Sequence, residues 1–114
     1  MKYFSNEQTG DITVVRFRFN MVDLRQREEL KKDLAGLLES GNRKFIFNMS
    51  EIGFLSSLMI ATIIFFAKDV RSGQGDVKLC ELSDEARNVF RITRLDRVME
   101  AYDTERQAME SFGG

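Results

Sequence analysis

The side chains of this 114-residue chain that could carry out chemistry are carboxylates, lysines, hydroxyls and one thiol, because the chain contains no histidine. Without histidine there is no Ser-His or Cys-His pair to activate a nucleophile. The single cysteine, Cys80, cannot form an intrachain disulfide or a multi-thiolate site, so we predict neither a metal nor a cofactor. Neighbouring acids such as Asp84 and Glu85 fall on predicted helix caps and surfaces, where they do not form an acid–base pair. We therefore expect a protein that is not an enzyme.

Two adjacent serines, Ser56 and Ser57, directly precede residues 58–67, a run that is apolar except for Thr62. A bilayer span needs about 20 apolar residues, so this run predicts a helix that is buried or faces a partner, with no membrane insertion. A serine at a helix N-terminus lies among free N–H groups at the positive end of the macrodipole, where a phosphate is stabilised. The alternative is that either serine is simply the N-cap of this helix.

The charge balance argues against a nucleic-acid binder, because the net charge is −1 and the pI is about 5.5. The N-terminal residues contain no apolar stretch of signal-peptide length, so we expect a cytoplasmic protein. Cys80 falls in a predicted strand and is expected to be a buried small hydrophobe. Four arginines recur at helical spacing and could meet an acidic partner or a phosphoserine, or form a solvated face balanced by nearby acids: Arg87, Arg91, Arg94 and Arg97, with Asp84, Glu85 and Asp96.

The hydrophobic pattern predicts the elements that position these residues. A glycine turn at Gly10 separates two strands over residues 2–7 and 12–19, and Val15, Phe17 and Phe19 form the more buried face of the second. A leucine stripe then predicts a helix over residues 22–40. The later segments are a strand at 44–49, a helix at 57–71, a strand at 77–82, a helix from Ser83 to about residue 91, a short strand near 99–102 and a helix from Thr104.

Two strand–helix–strand units imply parallel strand pairs, and the first hairpin adds an antiparallel edge. We therefore predict a single α/β domain over residues 1–112, with a mixed sheet of four or five strands and about four helices packed on it. Residues 113–114 are expected to be a tail.

Residues 48–61, NMSEIGFLSSLMIA, resemble the signature of the STAS domain, the family of bacterial anti-sigma factor antagonists. The family pattern is Asp-Leu-x-x-Val-x-Phe-Met-Asp-Ser-Ser/Thr-Gly-Leu-Gly. The glycine turn at residues 73–75 and the segment at 83–96 extend the resemblance, which covers essentially the whole chain. It implies a STAS-like α/β fold. It also implies that Ser57 is a phosphoacceptor, with Ser56 as the second candidate.

Three departures from this pattern matter for the acceptor: Ser56 replaces Asp, Leu58 replaces Ser/Thr, and Met59 replaces Gly. The loss of Asp removes a carboxylate beside the acceptor. Met59 is expected to place a bulky side chain where a kinase approaches.

The resemblance implies that the chain binds an anti-sigma factor that is also a serine kinase of the ATPase type, and that a PP2C-like phosphatase resets the modified form. The alternative is a STAS adaptor without a phosphoswitch, in another bacterial signalling or lipid-transport assembly, and the three departures favour it. The question of a homodimer stays open. The expected partner surface comprises Phe54, Leu55, Ser56, Leu58, Met59, Ile60 and Ile63.

Overall fold

The computed structural model describes residues 2–20 and 23–113. It confirms the predicted order of strands and helices, while the expected helix start at position 22 and the tail residue at position 114 lie outside the described residues. The elements are β1 (Phe4–Thr9), β2 (Ile12–Phe17), α1 (Leu24–Glu39), β3 (Lys44–Asn48), α2 (Ser57–Ser72), β4 (Asp76–Cys80), α3 (Asp84–Ile92), a 3₁₀ helix (Leu95–Arg97), β5 (Ala101–Tyr102) and α4 (Glu105–Ser111).

The five described strands form one mixed sheet in the order β1-β2-β3-β4-β5. β1 pairs antiparallel with β2, and every other neighbouring pair is parallel. The entry into β4 requires glycine at position 75, because a Cβ there would lie 2.1 Å from the carbonyl oxygen of Arg43. Within the described ranges, no helix is long and apolar enough to cross a bilayer.

Both faces of the sheet are largely buried at its three central strands, β2, β3 and β4. One face packs against α1, α2 and α3, and its centre is a group of edge-to-face aromatic rings that includes Phe17 against Phe47 at 5.0 Å. The other face is covered by α4, and there Val14 is fully buried with Cys80. The prediction that Val15 and Phe17 lie on the more buried face of β2 is confirmed, because Arg16 on the opposite face is only partly buried, whereas the inclusion of Phe19 in this face is wrong. The helix α4 covers the opposite face, whereas Phe19 lies beyond the end of β2 and is 55% exposed.

Polar contacts fasten α4 to the sheet at both ends. At its N-terminal end, Glu105 accepts two hydrogen bonds from the Arg16 guanidinium (2.8 and 2.9 Å) and one from the Asn48 amide (2.5 Å). The hydrogen bonds from Arg16 hold the pKa of Glu105 below its ordinary value. At the other end, the buried Lys78 ammonium donates to the Ser111 carbonyl (3.0 Å) and hydroxyl (2.8 Å). These contacts fix α4 over the smaller apolar core on this face of the sheet, which includes Val14 and Cys80.

Candidate phosphoacceptor site

The N-termini of α1, α2 and α3 meet at one edge of the sheet. Each helix follows a strand and returns antiparallel to it, so each starts where β2, β3 or β4 ends. Loops at this edge of a parallel sheet are the usual place for binding residues. Ser57 lies at this edge because it is the first residue of α2.

The loop that leads into α2 is held by side chains from both neighbouring connections. On one side, the Asn20 amide donates to the carbonyl oxygen of Phe54 (2.6 Å). On the other side, the Ser83 hydroxyl donates to the carbonyl oxygen of Gly53 (2.7 Å). The loop therefore has a defined position relative to α1 and α3, and Ser57 is presented from a fixed scaffold.

Ser56 is the N-cap of α2 and is occupied by structural hydrogen bonds. Its hydroxyl accepts from the N–H of Met59 (3.2 Å) and donates to the Asn20 side-chain oxygen (3.1 Å). Its side chain is only partly exposed. The proposed capping role of a serine at this point is thus confirmed for Ser56. A phosphate on this hydroxyl would remove the proton that it donates to Asn20.

Ser57 differs from Ser56 because it is exposed to solvent. Its hydroxyl makes no hydrogen bond with residues 2–20 or 23–113. The backbone N–H groups of Ser57 and Leu58 precede the first intrahelical bond, which runs from the N–H of Ile60 to the carbonyl of Ser56 (3.0 Å). An anion on Ser57 would therefore lie beside two backbone donors.

The N-terminus of α2 carries no negative charge of its own. The cap of α1 is Asp23, the first turn of α3 contains Asp84 and Glu85, and the first turn of α4 contains Glu105. In α2 the cap is a serine and the first turn has no acidic residue. The positive end of this helix macrodipole is consequently not offset by a carboxylate of the helix itself.

The predicted partner surface is only partly at the surface. Leu55, Met59 and Ile63 are at most 3% exposed and belong to the main core, so the expectation that they contact a partner is wrong. They are buried because the inner side of α2 and the loop before it pack on the sheet. Since the Met59 side chain points into this core, it does not obstruct the approach to Ser57.

The accessible apolar members of the predicted surface are Phe54, Leu58 and Ile60, and its serine, Ser56, is partly exposed as well. Phe54 is 58% exposed, and Leu58 and Ile60 are partly exposed. They leave an apolar area close to the exposed hydroxyl of Ser57.

Sequence reasoning missed two further apolar side chains at this edge, Phe19 and Leu24, which are 55% and 65% exposed. The hydrogen bond from Asn20 to Phe54 brings the segment after β2 beside the loop before α2. Leu24 is the first residue of α1, and its place at the start of the helix, beyond the leucines that pack on the sheet, leaves it exposed.

The other reactive groups form no centre. Burial raises the pKa of the Cys80 thiol to about 12, with further contributions from Glu105 and Glu81, so the thiol stays protonated. In the part of the chain that the structure describes, no group of three or more His, Cys, Asp or Glu side chains could hold a metal ion.

Comparison with known proteins identifies the family and the fold of this chain. The model of the STAS domain family matches residues 3–108. BtrV of Bordetella bronchiseptica, whose name assigns it to the anti-sigma factor antagonists, is 30% identical over 73 residues, which are 64% of this chain and 63% of BtrV. The match thus spans less than two thirds of BtrV. A Thermotoga neapolitana protein with the same kind of name is 30% identical over 77 residues, which are 68% of each chain.

Solved structures show the same fold. A Thermotoga maritima protein described as an anti-sigma factor antagonist superposes with a TM-score of 0.87 at 22% identity, covering 96% of this chain and 94% of the other. The anti-sigma factor antagonist SpoIIAA in its unphosphorylated form gives a TM-score of 0.78 at 21% identity, covering 97% and 96%. Phosphorylated SpoIIAA of Bacillus gives 0.71 at 22% identity, covering 96% and 98%.

Proposed function

The chain belongs to the STAS domain family, and we propose that it is an anti-sigma factor antagonist whose binding is switched by phosphorylation of Ser57. In its unmodified form the domain binds an anti-sigma factor that is also a serine kinase of the ATPase type. Binding sequesters the anti-sigma factor and frees a sigma factor for transcription. The observation that carries this proposal is the exposed Ser57 hydroxyl at a helix N-terminus without its own carboxylate, beside the exposed Phe54 ring.

The kinase ends the interaction by phosphorylating Ser57 of the domain to which it is bound. The Ser57 oxygen attacks the terminal phosphorus of ATP, and the bond between this phosphorus and the bridging oxygen breaks, so that ADP leaves. The hydroxyl proton passes to a base of the kinase. A PP2C-like phosphatase restores the hydroxyl by hydrolysing the phosphoserine. This chain supplies the acceptor and the docking surface, while its partners supply the catalysis.

The added phosphate affects the free domain and the complex differently. It carries a charge of about −1.5 to −2 and would lie beside the backbone N–H groups of Ser57 and Leu58 in the free domain, where it is stabilised. In the complex the same charge would be buried against Phe54 and the partner. Burying an unpaired charge costs several kcal/mol, which is sufficient to release the partner.

The departures from the family pattern are compatible with this switch. Ser56 takes over the capping of Met59 N–H that a side-chain oxygen must provide, and it removes one negative charge next to the acceptor. A phosphate on Ser57 is therefore repelled less than it would be beside an aspartate. Met59 faces the core, so it leaves the approach to the hydroxyl open.

The second candidate is a STAS adaptor that uses the same edge without phosphorylation, in another bacterial signalling or lipid-transport assembly. The replacement of the acceptor's three neighbours in the pattern, at Ser56, Leu58 and Met59, favours this reading. For the first of these two candidates we propose a cytoplasmic location, because a sigma factor and its ATP-dependent kinase act there. A homodimer is required by neither.

Intact mass spectrometry after incubation with ATP and lysate of the native cells tests the proposal. We expect a gain of about 80 Da in the wild type and in Ser50→Ala, a control in an exposed serine of the same loop, but not in Ser57→Ala. Peptide mapping must place the phosphate on Ser57 rather than Ser56. An unmodified wild type favours the adaptor, whereas a Ser57→Ala variant that is still phosphorylated contradicts the assignment of Ser57 as the acceptor.

A further inference from the structure

A second exposed surface lies at the far end of α3 and on the 3₁₀ helix that follows. We call it the arginine face; its members are Arg91, Ile92, Arg94, Arg97 and Val98, all exposed. Ile92 is 76% exposed, the highest value among the large apolar side chains of the described residues. Since α3 starts beside the Ser57 edge and is nine residues long, this surface lies about 13 Å away from that edge.

The backbone at the centre of the arginine face is strained. Arg94 has φ 63° and ψ 25°, the left-handed region that glycine adopts most readily. It directly follows Thr93, the C-cap of α3, and this position after a helix is usually glycine. Arg94 thus places a long side chain where the backbone favours glycine, and such strain often occurs at functional positions.

The domain itself does not use the Arg94 side chain. Neither Arg94 nor Arg97 makes a side-chain hydrogen bond or ion pair with the described residues. The neighbouring Arg87 pairs with Asp103 (3.0 Å), and Arg91 donates to Asn88 (2.7 Å). The acids expected to balance this face, Asp84, Glu85 and Asp96, form no ion pair with it. At least two guanidinium groups are therefore available to an outside ligand.

The composition of the arginine face indicates the ligand. Every basic residue between positions 83 and 100 is arginine, and none is lysine. Arginine binds carboxylates through two parallel hydrogen bonds and loses its hydration more readily than lysine, so it is preferred at protein interfaces. Ile92 and Val98 add apolar area between the charges. This combination fits a carboxylate-bearing segment with an aliphatic side chain.

Two other anionic ligands fit less well. A nucleic acid requires a basic surface, whereas this chain has a net charge of −1 and Asp96 lies within the face. Anionic membranes are usually bound by clusters of about four to eight basic residues, and only Arg91, Arg94 and Arg97 are grouped here. We propose that the arginine face is a second docking surface, distinct from the Ser57 edge, for an acidic protein segment that contains an aliphatic residue.

Fluorescence anisotropy with a labelled peptide of repeated Glu-Leu-Glu units, and a matched Gln-Leu-Gln peptide, tests this proposal at low salt. The wild type should bind the acidic peptide and not the neutral one. Arg94→Gly should weaken binding about tenfold while its melting temperature rises by about 3 °C, because the strain is relieved. Arg94→Ala should weaken binding equally without that rise. Arg106→Gln, an exposed arginine on α4, is the charge-matched control and should bind almost as the wild type does.

Three results would overturn the proposal. The first is the absence of measurable binding to the acidic peptide. The second is equal binding by wild type and Arg94→Gly. The third is tighter binding to duplex DNA or to phosphatidylglycerol vesicles than to the peptide, since this would assign the arginine face to another class of ligand.

Discussion

The N-termini of α2 and α3 are built alike but are charged differently. Each begins with a serine cap whose hydroxyl accepts a backbone N–H, at 3.2 Å for Ser56 and 3.0 Å for Ser83. Each serine also binds a neighbouring loop. α3 then adds two acids in its first turn, Asp84 and Glu85, whereas α2 adds Ser57 and an apolar run.

Because of this difference, the N-terminus of α3 already carries negative charge, whereas the N-terminus of α2 can accept an added negative charge. In α3 the macrodipole is offset by the helix's own side chains, so an added phosphate would meet repulsion. In α2 the same position is occupied by a hydroxyl. The capping hydrogen bond and the negative charge at a helix N-terminus are therefore separate features. α2 has the capping bond but lacks the negative charge, which a phosphate on Ser57 would supply.

The largest effect is expected where a first-turn acid is tied into the fold, at Glu105 of α4. Glu105→Gln should lower the free energy of unfolding by about 2 kcal/mol, because the hydrogen bonds of Arg16 and Asn48 lose their charged acceptor. Arg16 is 39% exposed, so solvent screening keeps the loss below that of a fully buried pair. Urea unfolding at neutral pH measures it, and Glu110→Gln, on the same helix without an ion pair, should change little.

The same pair predicts an acid dependence. Because the pKa of Glu105 is lowered in the folded state, its contribution is present above the ordinary glutamate pKa of about 4.3 and is lost as the pH falls through the lowered value. The stability curves of the wild type and Glu105→Gln should therefore converge at low pH. Parallel curves down to acid pH would show that the ion pair stabilises nothing, and the acid of α4 would then resemble those of α3.

Removal of either serine cap should lower the free energy of unfolding by the same amount. Ser56→Ala and Ser83→Ala should each cost about 1 kcal/mol, because each removes an acceptor for a helix N–H and a bond to a neighbouring loop. Ser50→Ala, in an exposed serine of the loop before α2, should change the stability by less than about 0.5 kcal/mol. A cost at one cap and none at the other would contradict the claim that the two termini are built alike.

The smallest effects on the free energy of unfolding are expected from substitutions that add or remove a charge at these helix N-termini, and the two changes should have opposite signs. Ser57→Asp should raise the free energy of unfolding by about 0.5 kcal/mol, whereas Asp84→Ser should lower it by about the same amount. Both effects should shrink at high salt because exposed charges are screened. Thermal melts at two salt concentrations measure them. A destabilising Ser57→Asp would mean that α2 does not favour an added negative charge.

Much of the fold could be predicted from the sequence because its signals are local. Leu30 and Leu34 identify the buried stripe of α1, and Ser83 and Thr104 mark the starts of α3 and α4; the structure confirms these assignments. Ser83 and Thr104 are capping residues whose side chains bond within three positions along the chain. Such bonds depend on sequence neighbours and not on the rest of the fold.

The exposed side of α2 could not be predicted, because residues 58–67 are apolar almost throughout and show no stripe. Which of Met59, Ile60 and Ile63 is accessible depends on how α2 packs on β3 and β4, and only Ile60 remains partly exposed. The burial of Val14 likewise depends on α4, which lies about 90 positions further along the chain. Contacts of this range leave no local pattern.

The most direct test of the account is the affinity of the domain for an anti-sigma kinase isolated from the native cells. Wild type, Ser57→Asp and Asp84→Ser should be compared side by side in one binding assay. We predict that Ser57→Asp weakens binding by about 100-fold, or about 2.7 kcal/mol, and that Asp84→Ser binds as the wild type does. Equal affinity of Ser57→Asp and the wild type for that kinase would contradict the switch.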